Sequence, residues 1–217
     1  MRSFLPLLAL PVLGACFPTM QTPTISPGPH LDEGVMALSD QTRGGVAQGW
    51  DMMAWVAPAY GTKEFEVGVP VGIYYAGAGN GSLNNRSLIV LPYTKFALLN
   101  DKRDKLTSVV QFGPTFVSSL GLLYGRDLGS WMPYGGLKWI ASGGPYGDDP
   151  YITRYQQPGQ LLLTLSAGAE SNTPAHPAAE IGILMNRYLE SAGPGQPAVH
   201  HTYFDFYFSA RLSLGAK

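Results

Sequence analysis

One cysteine, Cys16, is all the chain offers for thiol chemistry, and charged side chains are scarce. No CxxC pair is possible, and no GxSxG, HExxH or Walker loop occurs, so no motif names a reaction. Charged residues make up 13% of the 217 residues, against a usual value of about 25%. The formal net charge is −1, which gives no electrostatic case for a nucleic-acid partner. The densest charged stretch, "NDKRDK" at Asn100–Lys105, mixes both signs and forms no basic patch. Long hydrophobic runs are also missing. The apolar stretch within the first fifteen residues is too short to cross a bilayer as a helix. No long amphipathic helix is present either; Leu184–Ser191 is the nearest candidate and is short.

What the chain has instead is glycine (27 residues), proline (18) and 12% aromatics. That mixture suits a β-rich protein with much of its surface turned away from water. The dominant period from about Gly49 onward is two. In "TYFDFYFSARLSL", Phe204, Phe206, Phe208, Ala210, Leu212 and Leu214 share one face, and Tyr203, Asp205, Tyr207, Ser209, Arg211 and Ser213 share the other. In "EFEVGVPVGIYY", Phe65, Val67, Val69, Val71, Ile73 and Tyr75 oppose Glu64, Glu66, Gly68, Pro70, Gly72 and Tyr74. Only a strand separates such sets. "QLLLTLSAGAE" and "EIGILMN" repeat the pattern, and Trp50–Tyr60, Ser87–Leu99, Leu106–Val117 and Trp131–Ala141 are more mixed strands. Turn signals such as "YGTK", "GAGNGSLNN", "YGRDLG" and "SGGPYGDDP" separate them.

About eight strands joined by hairpins predict an all-β, antiparallel up-and-down barrel of eight to ten strands. Its body resembles small outer-membrane barrels, in which the apolar face meets lipid and the small or polar face packs inside. The alternative is a soluble lipocalin-like barrel, in which the apolar face lines a cavity. The polar faces carry Gly68, Gly72, Ser166, Gly168, Gly182 and Ser209, which suit a tight interior better than a wet surface. Glu66, Lys95, Asp205 and Arg211 are the candidate ion pairs across that interior. Trp and Tyr near the strand ends suggest interfacial girdles. The alternation of short turns and long loops does not close for this strand set, since an added strand at Gly34–Arg43 makes nine.

The N-terminus gives an address. Arg2 and "FLPLLALPVLGA" read as an export signal over residues 1–15. "LGAC" (Leu13–Cys16) resembles the lipobox of bacterial lipoproteins. That resemblance implies removal of the signal before Cys16, a diacylglyceryl group on its thiol and acylation of the new amino group. Phe17 in place of Asp favours the outer membrane in the enteric sorting pattern. Residues 16–33, with Pro18, Pro23, Pro27 and Pro29, are expected as a lipid-anchored, extended linker, and residues 34–217 as a single barrel domain.

Pro70, Pro92, Pro114 and Pro133 recur at near-regular spacing, each within an expected strand. Proline cannot donate to a ladder. The four form either a belt of bulges or a lateral seam; the seam resembles weakened pairing in outer-membrane lipid-modifying barrels. "GAGNG" (Gly77–Gly81) is read as a hairpin loop, not a dinucleotide loop, because no helix follows it. His200, His201 and Asp205 do not make a zinc site, since neighbours on a strand face opposite ways. Asp148 and Asp149 are expected in an exposed turn, and His30 and His176 in loops. Ser209, His201 and Asp205 carry the residue types of a triad without anything that brings them into reach.

The expectation is an outer-membrane-associated lipoprotein with a non-catalytic barrel, structural or binding in role, with no metal and no cofactor. Its partners would be membrane lipid, through anchor and barrel surface, and an envelope protein or apolar ligand. A soluble, periplasm-facing barrel carrying an apolar ligand is the second reading, and a lipid-modifying barrel enzyme the third.

Overall fold

The computed structural model describes residues 20–41, 47–76, 85–112, 119–141, 161–190 and 199–215. They contain twelve strand segments: β1 (Gly28–Gln41), β2 (Ala47–Gly61), β3 (Phe65–Gly68), β4 (Val71–Ala76), β5 (Asn85–Val90), β6 (Tyr93–Asn100), β7 (Asp104–Gln111), β8 (Ser119–Arg126), β9 (Trp131–Ala141), β10 (Leu161–Ser171), β11 (Ala178–Glu190) and β12 (Val199–Leu214). Every pairing is antiparallel; besides consecutive strands, β2 pairs with β4 and β3 with β6, and β1 pairs with both β2 and β12, so the sheet closes on itself.

Two full-length strands are interrupted at proline. β3 and β4 flank Val69-Pro70, and β5 and β6 flank Leu91-Pro92. The register continues across both breaks: β2 pairs β3 from Ala59↔Gly68 and β4 from Val56↔Val71. Backbone bonds persist beside each proline, Val69 N to Pro58 O at 3.1 Å, Leu91 N to Pro70 O at 3.0 Å and Phe112 N to Pro92 O at 2.7 Å. Counting each broken strand once, the barrel has ten strands.

Ten strands lie at the upper end of the expected eight to ten, two more than the eight runs read as strands, and close the alternation that nine left open. The tenth is β8, "SLGLLYGR", whose second half reads as turn in the sequence. The connections 62–64, 101–103, 127–130 and 172–177 lie at one end, called here the turn end, where β1 begins and β12 finishes. The strand ends at residues 41, 47, 76, 85, 111, 119, 141, 161, 190 and 199 lie at the other, called the loop end.

The alternation sorts side chains as the two-residue period predicts. Phe204, Phe206 and Phe208 point outward and about half exposed, while Asp205, Tyr207 and Ser209 are buried in the lumen. The outer face carries Leu31, Val35, Val56, Ile73, Leu88, Leu122, Leu137, Leu165, Ile181 and many others, and the lumen takes the charges. The inside-out alternative, with apolar residues lining a cavity, is not the arrangement found. Tyr60, Tyr124 and Trp131 stand exposed near the turn end, and Trp50 and Trp139 near the loop end.

Glycine has a packing role in this wall. Tyr93, Tyr134 and Tyr207 face inward directly across from Gly68, Gly168 and Gly182. A Cβ added at these glycines would lie 2.6, 2.6 and 2.4 Å from the opposing tyrosine ring. Each ring therefore lies flat over a missing side chain. Trp55 is held similarly between Gly34 and Gly72 on the strands either side.

Chain pairing begins at Gly28, so the linker expected over residues 16–33 is shorter than the sequence suggests. Met20, Gln21 and Thr22 are not a spacer either: they are buried at 1, 1 and 0% exposure inside the barrel.

Candidate functional site: a charged lumen crossed by the N-terminal segment

Two cross-strand charge clusters stand in the lumen toward the turn end. Glu66 on β3 faces Lys95 on β6 in register, with Lys95 Nζ 2.7 Å from Glu66 Oε1. The Tyr93 hydroxyl donates to the same oxygen at 2.8 Å, and the ammonium lies 5.9 Å from the Tyr93 ring centroid. Arg211 on β12 reaches Asp32 on β1 at 3.1 Å and Glu170 on β10 at 3.4 Å. All five charged groups are within 4% of complete burial. Charges so placed are tolerated only when paired and hydrogen-bonded.

The segment 20–27 supplies the remaining partners. Lys95 Nζ donates to Thr24 O at 2.8 Å, and Thr24 Oγ1 donates to Glu170 Oε2 at 2.7 Å. Ser26 N donates to Glu66 Oε2 at 3.0 Å, Arg211 to Thr22 Oγ1 at 2.9 Å, and Thr107 Oγ1 to Pro23 O at 2.7 Å. The ring of Pro23 fills the space beside Gly125, where a Cβ would approach it to 2.7 Å. A proline-rich stretch cannot satisfy its carbonyls in a helix. Here the lumenal side chains of β6 and β7 satisfy two of them. The segment thereby joins β3, β6, β7, β10 and β12 across the lumen.

His30, expected in a loop, stands on β1 facing inward. Its Nδ1 lies 3.1 Å from Gly28 O, an acceptor, so Nδ1 carries the proton and donates. Nε2 then faces Glu66 Oε2 at 3.6 Å. His30, Asp32 and Glu66 bring three ligand atoms within 4.8 Å of one another, the set best placed to receive a cation among the described residues. Glu66 and Asp32 are already held by Lys95 and Arg211. A divalent ion would sit close to two fixed positive charges, which opposes its binding.

Deeper in the lumen, the Tyr207 hydroxyl donates to Glu180 Oε1 at 3.0 Å, and Lys138 on β9 is buried. Asp205 also faces inward, but it is six residues along β12 from Arg211, about 20 Å at strand rise, and is remote from the Arg211 pairs. Ser209 and Asp205 are four residues apart on one face, about 13 Å. Ser209 Oγ instead donates to Val35 O at 3.0 Å, and His201 pairs through its backbone with Tyr188. The triad types are not assembled.

The structure brings Pro70 and Pro92 together on neighbouring strands, with Leu91 bonding to Pro70. Pro133 is outward on β9 opposite Ala169, toward the turn end, and does not join them. Pro114, Cys16, Asp148, Asp149 and the "GAGNG" stretch lie outside the described residues. Asp32, Glu170, Thr22, Thr24 and His30 are the lumenal partners that sequence reasoning passes over. For Glu170 a signal existed: it continues the inward parity of Leu162, Thr164 and Ser166.

No protein-family profile matches the chain, and no curated protein is similar to it in sequence. Among solved structures, the crystal structure of OpdQ from Pseudomonas aeruginosa is 13% identical, with 90% of this chain and 75% of that chain covered and a TM-score of 0.23.

Proposed function

We propose that this chain is an outer-membrane lipoprotein whose barrel spans the membrane with an occupied lumen, serving a structural or binding role at the envelope and no catalytic one. The observation that carries this reading is the outer face: apolar side chains surround a closed barrel, and among the described residues the charged side chains within the strands point inward, apart from Glu33 and, toward the ends, Asp104, Arg126 and Arg187. Such a surface belongs in hydrocarbon, with aromatic residues at both interfaces. Short turns face the periplasm in barrels of this kind, which puts the turn end there. Cys16 precedes the lumenal Met20 by four residues, at most ~14 Å of extended chain. An acylated Cys16 would then enter the inner leaflet beside the barrel mouth.

The test uses the full chain in a Gram-negative host. Membrane fractionation with carbonate washing, gel migration with and without boiling, and labelling with radioactive palmitate are read together. The reading expects retention in the outer-membrane fraction, heat-modifiable migration, and label that disappears in Cys16→Ser. A soluble monomer released by carbonate would overturn it.

A further inference from the structure

On the outer face, a groove of about 750 Å³ runs over β12, β1, β2 and β4. Small side chains make it. Val35 stands between Ala210 and Ala54 in register, Ala54 faces Ile73, and Gly34 and Gly72 lie in the floor. Two charged residues line it: Arg211, whose guanidinium turns into the lumen onto Asp32 and Glu170, and Glu33, which projects outward between Val56 and Leu212; the other lining residues are apolar. Glu33 has no hydrogen-bond or ion-pair partner among the described residues. Among the other outward charges, Asp104 and Arg126 pair at the turn end of β7 and β8, and Arg187, three residues from the end of β11, pairs with Leu161, the first residue of β10.

Glu33 lies two positions from the Leu31↔Leu214 pair that ends the β1–β12 ladder, and Pro177 of the 172–177 turn lines the same groove. The carboxylate is thus at the turn-end mouth, and the apolar length runs from it toward the middle of the wall. A carboxylate on a lipid-facing surface costs free energy that falls toward the interface and is offset by a cation that donates to it. A second outward groove, of about 620 Å³ beside Trp50, Ile181 and Phe206, holds no charge.

We infer that the Glu33 groove binds one phospholipid with a primary-ammonium headgroup, the ammonium donating to Glu33 and one acyl chain lying over Gly34 and Gly72. This rests on the membrane-spanning reading above. The charge selects the headgroup and the small residues admit the chain. The uncharged groove takes acyl chains without regard to headgroup.

Native mass spectrometry of the full-length protein in mild detergent, titrated with phosphatidylethanolamine or phosphatidylglycerol, tests it. One phosphatidylethanolamine is expected to be retained roughly tenfold better than phosphatidylglycerol, the scale of one charge-assisted hydrogen bond. Glu33→Gln is expected to erase that preference while leaving heat-modifiable folding intact. Ala54→Phe, which fills the groove and spares Glu33, is expected to lower retention of that one lipid. Equal retention of the two lipids by the wild type, an unchanged preference in Glu33→Gln, or a protein dimer displacing lipid would overturn the site. Failure to bind any lipid, with solubility in the absence of detergent, would instead overturn the membrane reading.

Discussion

Gly182 lies across from Tyr207, and the space a methyl group needs is already filled by the tyrosine ring. Gly182→Val should push that ring off Glu180, break the 3.0 Å hydroxyl bond and destabilise the folded barrel, by about 1–3 kcal/mol as overpacking does. Urea unfolding in detergent, followed by gel shift, checks this. At the Glu66–Lys95 cluster, Lys95→Met leaves the buried Glu66 without its ammonium, and should cost about 3–5 kcal/mol in the same assay. Lys95→Met with Glu66→Gln should recover part of the loss, because no unpaired charge remains. That Glu66 and Lys95 are interior charges was legible in the sequence, Glu66 from the clear alternation of its strand and Lys95 from a more mixed run, but their pairing was not. Nor were the partners of Arg211. Parity says which way a side chain points but gives no cross-strand register, and Asp32 lies where a proline-rich stretch masks the start of β1.

At the scale of strands, alternation located nearly the whole wall and missed β8. That strand offers only Leu120, Leu122 and Tyr124 outward, against Gly121, Leu123 and Gly125, and its glycines and Arg126-Asp127 imitate a turn. Leu184–Glu190, part of the nearest and short candidate for a helix, belongs to β11, and the alternation read in "EIGILMN" holds there, with Leu184 inward and Ile183 outward. The proline breaks were visible in the sequence, but their company was not. Pro70 and Pro92 adjoin through Leu91, so the missing donors fall in one patch of the wall. Hydrogen exchange should find amides of Val71, Val90 and Tyr93 less protected than those of β10 and β11. Pro70→Val with Pro92→Val should raise their protection, since two donors return to the ladder. Equal protection in both proteins would show that the breaks leave the wall as firm as elsewhere.

For the whole molecule, closure and contents belong together. A ten-stranded barrel without its N-terminal segment would leave the lumen to water, and the charges of Asp32, Glu66, Lys95, Glu170 and Arg211 would line a passage. With Met20–Pro27 in place, the full-length protein should show no unitary conductance steps in a planar bilayer. Deleting residues 20–27 should produce steps, with heat-modifiable migration as the check that the barrel still closes. Composition and period were enough for the architecture, because an apolar outside and a small, polar inside leave their marks on every strand. They could not place residues 20–27, since a segment rich in Pro and Thr has no periodicity of its own and its order comes entirely from the walls around it.

The same segment runs straight into β1, the strand whose far edge meets β12 to complete the ring. It can be laid across the curling sheet while the two margins are still apart, but a finished cylinder would have to be threaded from its mouth. The expected order of biogenesis is that the leading stretch docks first and the opening and final strands zip around it afterwards.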